Sequence, residues 1–240
     1  MAIKTIFFIF LLNTLNAQVK HSHDILHGFL QIKDQHNLGM VFSGVQTEYR
    51  YGAQWKINNH EILYQPRLGF GFVFNRGMLG FQLPKIVPVN TTWTRQFYEK
   101  NGHTLKAGTN FVADYSFHGY PFLQGGHLFW STEIGVSGIV QYIRKRFAIY
   151  VQNSLFGLTS HTQDFHPYFF SIKVGDWVAK AHENMKFGSY NTYNSTTVSF
   201  EFVPNISKKR SFLYEFDYFG SFYGMKFFRI SHNLIWRIEI

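Results

Sequence analysis

The sequence predicts an all-β chain that closes as an antiparallel, up-and-down transmembrane β-barrel of about 10–12 strands. Three observations predict it. Apolar and polar residues alternate along most of the chain, the composition is 20% aromatic but only 15% charged, and the one apolar block lies at the start. An average soluble domain carries roughly 25% charged residues. A chain crossing a membrane as helices would instead gather its apolar residues into runs of ~20.

The N-terminal block is expected to be a signal peptide. Met1–Lys4 gives a short positive region, Ile6–Leu12 an apolar core, and Asn16–Ala17–Gln18 a small residue before a polar one. This pattern predicts export with cleavage after Ala17. The expected organisation is therefore a signal peptide over 1–17 and a single barrel domain over 18–240. With Cys 0, neither a disulfide framework nor a lipid-modified N-terminal Cys is possible.

The strands are legible from their period of two. In the last one, Phe228, Ile230, His232, Leu234, Trp236, Ile238 and Ile240 share a face. Arg229, Ser231, Asn233, Ile235, Arg237 and Glu239 share the other. Before it, Phe212, Tyr214, Phe216 and Tyr218 oppose Glu215 and Asp217, and Val198, Phe200 and Phe202 oppose Ser199 and Glu201. In the middle of the chain, Leu105 to Phe117 alternates with Lys106, Asn110, Asp114 and Ser116. Trp130 to Tyr142 alternates with Ser131, Glu133, Ser137 and Gln141. Val41, Val45 and Tyr49 alternate with Gln46, Glu48 and Arg50, and Leu68 to Phe74 with Gly69 and Gly71.

The runs reach ~10–14 residues, against a mode of ~5–6 in soluble sheets. One face is rich in Phe, Tyr and Trp and the other carries both signs of charge. A lipid-facing surface cannot hold such charges, but an enclosed lumen can. Arg144–Arg146 and Ser207–Arg210 are expected as tight turns, the latter on the periplasmic side, with Tyr223–Met225 facing outward. Gly52–His60, Pro84–Gly102, His118–Gly126 and His161–Pro167 are expected as outer loops; Ala179–Tyr193 reads as either a long loop or a short hairpin.

The signal peptide, the aromatic alternating strands and the final Trp236-x-Ile238-x-Ile240 resemble bacterial outer-membrane β-barrel proteins. Such barrels commonly end in an aromatic residue, and this sequence departs from them by ending in Ile240. The resemblance implies a bacterial outer-membrane location. It also implies outer-membrane lipids and lipopolysaccharide, together with the barrel-assembly machinery, as partners. The formal net charge of +9 and pI near 9.6 raise the question of nucleic acid. Because the basic residues are scattered, and the chain is expected to be exported, anionic headgroups are the expected counterpart, with no nucleic-acid partner.

Candidate chemistry is sparse. The phospholipase and lipid A deacylase barrels hydrolyse acyl esters with His-x-Ser followed by Asn or Gly, a segment absent here. His21–Ser22–His23 lies beside the cleavage point, and Ser116–Phe117–His118 has the order reversed. The remaining catalytic constellation is Ser160, His161 and Asp164, with His166 nearby, a nucleophile, base and orienting acid by residue type. Adjacent residues of one strand point to opposite faces, so this group needs a bend at its strand end. The bland alternative is a polar outer loop. Neither a cofactor nor a metal centre is expected.

His232 is polar within an apolar face and reads as a snorkelling side chain rather than a base. The predicted lumen charges are Glu48, Arg50, Lys106, Asp114, Glu133, Glu201, Glu215, Asp217, Arg229, Arg237 and Glu239. Mixed signs favour pairing across a narrow barrel, because an isolated charge in low dielectric is costly. The expected function is a structural or ligand- and lipid-binding barrel with a mostly closed lumen. A lipid hydrolase and a small porin or transporter are the alternatives.

Overall fold

A computed structural model describes residues 19–35, 39–121, 127–161, 174–189, 192–205, 209–224 and 226–240. Residues 1–17, expected as a signal peptide, lie outside the described residues, and so does Asp164. The strands are β1 (Val19–Asp34), β2 (Val41–Ile57), β3 (His60–Tyr64), β4 (Arg67–Asn75), β5 (Met78–Lys100), β6 (His103–Tyr120), β7 (His127–Arg144) and β8 (Phe147–His161). A short helix α1 (Val174–Ala181) follows, then β9 (Lys186–Gly188), β10 (Tyr193–Asn205), β11 (Arg210–Ser221) and β12 (Phe227–Glu239).

All twelve strand segments belong to one antiparallel sheet. β1 pairs with both β2 and β12, from Ser22↔Glu239 to Asp34↔Phe227 on the latter side, so the sheet closes into a barrel. β3 and β4 occupy one stave, since both pair with β2 on one side and β5 on the other. β9 sits beside the far end of β8, above the point where β10 pairs with β8. The ring therefore has ten staves, an even number that lets an up-and-down barrel close antiparallel.

Proline accounts for the irregular staves. Pro66 separates β3 from β4, and the ladder bridges the gap through Gln65 N–H to the Asn90 carbonyl at 2.8 Å. In β5 the register shifts between Leu83 and Lys85 and between Ile86 and Val89, where Pro84 and Pro88 lack the N–H that a ladder position requires. The segment Pro84–Gly102, expected as an outer loop, is thus a bulged strand ending in a turn. The Asn101–Gly102 turn has φ of 53° and 74°, the left-handed pair that a two-residue hairpin demands.

The connections fall into two groups by following the staves. Asn58–Asn59, Asn101–Gly102, Lys145–Arg146 and the paired ends of β10 and β11, Asn205 and Arg210, lie at the end that carries both Val19 and Ile240. The longer segment with α1 lies at the opposite end. Short turns mark the periplasmic end of bacterial barrels and long loops the outer end. Gly52–His60, expected as an outer loop, is instead the β2–β3 hairpin at the periplasmic end. Ala179–Tyr193 resolves into the end of α1, the short β9 and the start of β10.

The period of two sorts the side chains. Outward-facing Leu68, Phe70, Phe72 and Phe74 are 41–56% exposed, and Leu234 is 70% exposed, a density of apolar surface that only lipid can cover. Inward from them the polar residues are buried. No described helix is long and apolar enough to cross a membrane.

Leu234→Arg on the mid-strand lipid face is expected to destabilise the barrel by roughly 2–4 kcal/mol in chemical unfolding from liposomes. Ile240→Arg, at the strand end, is expected to cost only about 0–1 kcal/mol.

Candidate functional site

The barrel interior is layered. At the outer end Leu30, Ile32, Phe42, Val73, Tyr120, Phe129, Tyr193, Phe219 and Phe227 form a buried apolar cluster, with Met40 and Met78 packed against it. Its rings are closely spaced: Phe42 to Tyr120 is 4.6 Å and Tyr120 to Phe129 is 5.6 Å between centroids. These are inward positions of strands whose outward positions are also apolar.

Below the cluster lies a belt of ion pairs that spans the lumen from stave to stave. Arg50 on β2 donates its two terminal nitrogens to Glu215 on β11 at 2.9 and 2.6 Å, and its Nε to Glu48 at 2.5 Å. Glu48 also meets Lys85 of β5 at 3.2 Å. Lys85 lies 3.9 Å from Asp114 of β6, which accepts from Arg229 of β12 at 2.9 Å. Arg229 also donates to Ser116 Oγ at 2.6 Å, and its guanidinium stands 5.5 Å over the Phe219 ring. The belt and the apolar cluster are thereby joined. The side chains in this chain of pairs are at most 10% exposed.

The remaining predicted lumen residues also face inward. Asp217 accepts from Thr197 at 2.7 Å and Asn233 at 3.1 Å, and Asn233 accepts from Gln46 at 2.7 Å. Glu133 is buried beside Asp114 and Arg229. Nearer the periplasm, Arg237 forks onto Asp24 at 2.9 and 2.8 Å and reaches Glu201 at 3.4 Å. Lys106 pairs with Glu61 at 2.7 Å. Glu239 stands at the mouth of a cavity of about 290 Å³ that opens at this end, with Arg50 and Glu215 at its inner limit.

Charged residues of this interior that escaped the sequence reading include Asp24, Asp34, Glu61, Arg67 and Lys85. Asp24 belongs to β1, whose inward Leu26, Leu30 and Ile32 hide the alternation. Glu61 sits in the short β3. Arg67 and Lys85 each follow a proline, Pro66 and Pro84, in a stretch that reads as turn. The available signal was the alternation of Arg67 with Leu68, Phe70 and Phe72, which extends the strand by one residue.

The candidate catalytic residues are separated. β8 runs through His161, so Ser160 and His161 keep opposite faces. Ser160 Oγ donates to the Glu183 carbonyl at 2.5 Å and accepts from Trp130 Nε1 at 3.4 Å. His161 Nδ1 lies 3.0 Å from Ser221 Oγ, with its ring 4.7 Å from that of Tyr223. Tyr223 donates to the Thr159 carbonyl at 2.7 Å, and burial raises its pKa above the usual phenol value.

On the lipid side His232 pairs with the Tyr214 hydroxyl at 2.7 Å, while His21 and His23 pair with Tyr51 and Tyr49 at 2.7 and 2.6 Å. Each pair satisfies a ring nitrogen that would otherwise face lipid unpaired. Among the described residues no group of three or more His, Asp or Glu could hold a metal ion.

Removing one member of the belt leaves buried charge behind. Arg50→Met is expected to destabilise the barrel by about 3–5 kcal/mol by stranding Glu48 and Glu215. Adding Glu48→Gln and Glu215→Gln is expected to recover part of that loss in the same unfolding measurement.

No protein-family model and no curated protein matches the sequence. Among solved structures the chain is similar to the translocator domain of the autotransporter NalP from Neisseria meningitidis: 5% identity, 98% of this chain, 93% of that chain and a TM-score of 0.41. It is also similar to an outer membrane channel from Pseudomonas putida F1, with 9% identity, 93% and 95% coverage and a TM-score of 0.39. Ail of Yersinia pestis is a third, at 11% identity, 92% and 99% coverage and a TM-score of 0.31. Its own closed sheet, apolar outer face and charged interior make this chain a transmembrane β-barrel.

Proposed function

We propose that this protein is a sealed outer-membrane barrel that binds a ligand or lipid rather than conducting or hydrolysing. The observation that carries the reading is the run of buried ion pairs Glu215–Arg50–Glu48–Lys85–Asp114–Arg229 crossing the lumen. A pore needs water along its axis. Here Arg50, Lys85 and Arg229 meet carboxylates on facing staves, and an apolar cluster stands above them. Ten staves are also close to the size at which side chains fill a barrel.

Outer-membrane lipids and lipopolysaccharide on the apolar outer face are the proposed surroundings, with delivery by the barrel-assembly machinery. A hydrolase draws no support from Ser160, whose hydroxyl is engaged by the backbone carbonyl of Glu183 on one side and Trp130 on the other.

In planar bilayers the protein is expected to give no steady conductance. Steady currents whose ion selectivity changes on neutralising Glu215 and Asp217 would establish a pore instead. With labelled outer-membrane lipid, Ser160→Ala is expected to leave fatty-acid release at the wild-type background; its loss in the variant would restore the hydrolase reading.

A further inference from the structure

The periplasmic cavity holds a cation, Arg67, that no carboxylate among the described residues meets in an ion pair. Of the cations around it, Arg50 is engaged by Glu48 and Glu215, Lys106 by Glu61, and Arg237 by Asp24 and Glu201. Lys20 is exposed at the mouth. Arg67 lies opposite Arg50 in the β2–β4 register. Among the described residues no carboxylate oxygen stands within ion-pair distance of it, and its buried Nε has no hydrogen-bond partner. The nearby Glu215 already accepts both terminal nitrogens of Arg50.

Besides its charged residues, the cavity offers Arg67 neutral polar groups, with Gln54, Gln65, Asn90, Thr92, Tyr150 and Gln152 lining the same space. Several are fixed by their own bonds: Gln65 donates to Asp24 at 2.9 Å, Tyr150 to Gln152 at 2.6 Å, and Gln152 to Asn110 at 3.2 Å. A partly desolvated guanidinium gains more from an anion than an exposed one does, and its planar fork matches a carboxylate or phosphate through two bonds. Fixed amides and hydroxyls are the donors and acceptors that a polyhydroxylated molecule requires.

We propose that this cavity binds a small polyhydroxylated anion entering from the periplasm, with its carboxylate or phosphate on Arg67 and its hydroxyl groups on the surrounding Gln, Asn and Thr side chains. The proposal rests on the sealed-barrel reading, since a floor formed by Arg50 and Glu215 makes the space a pocket rather than part of a passage.

The test uses the full folded barrel in nanodiscs, titrated calorimetrically with D-glucuronate, glucose 6-phosphate and D-glucose. At least one of the two anions is expected to bind saturably, about tenfold or more tighter than glucose; which of them binds tells carboxylate from phosphate. Arg67→Gln is expected to bring the anion down to the level of glucose, while Arg67→Lys keeps the charge, loses the fork and binds at an intermediate level. Thr92→Val, which leaves the charge in place, is expected to weaken the anion and glucose alike. No saturable binding of either anion, glucose binding as tightly as both, or anion binding undiminished in Arg67→Gln would overturn the proposal. Conductance of the same preparation separates the two readings: a silent barrel that binds neither anion removes the pocket alone, whereas a conducting barrel removes the seal.

Discussion

Lipid offers a peptide group no hydrogen bond, and that constraint orders the rest of this structure. Every backbone N–H and C=O at membrane depth needs a partner within the protein, so the sheet cannot keep a free edge. The pairing of β1 with β12 removes it. Closure then fixes the fate of each side chain, because a pleated strand sends alternate residues to opposite sides of a wall that separates lipid from lumen. The outward set is apolar by necessity. The inward set is released from that demand, and here it is used for charge.

Charge inside a narrow barrel brings a second constraint. A carboxylate removed from water needs a cation close by, and the staves supply one at matched heights: Glu215 for Arg50, Asp114 for Arg229, Asp24 for Arg237. These bonds tie β2 to β11, β6 to β12 and β1 to β12. The first and third of the interior layers are also distinct in chemistry, one apolar at the outer end and one open and polar at the periplasmic end. Arg67 stands apart within this arrangement because its nearest acidic neighbours are held by other residues.

Much of the wall was legible in the sequence where the two faces contrast. β12, β11 and β6 place Phe, Leu or Trp against Arg, Glu or Asp, and the alternation is plain. It is obscured in β1, where inward Leu26, Leu30 and Ile32 share the strand with outward Ile25 and Phe29, so both faces look apolar. It is obscured again in β5, since Pro84 and Pro88 read as loop residues until bulges absorb the missing donors. The ion-pair partners Asp24 and Lys85 fall in these two strands. The sequence could name most of the interior charges but not which met which, because pairing depends on stagger between staves. For Ser160 and His161 the strand rule set opposite faces unless a bend intervened, and β8 continues straight through both.

The Asp24–Arg237 contact joins residues 213 positions apart, between the first strand and the last. Its two partners can meet only when the ring shuts. Until then Asp24 faces the lumen side of an open sheet without its cation, and the same holds for the Arg50–Glu215 fork 165 positions apart. Long-range pairs of this kind come late, since loop-closure entropy is spent before they form. Assembly is thus all-or-none in its last step: the arrival of one strand completes the hydrogen-bonded wall and neutralises the interior together, and a chain truncated within β12 forfeits both.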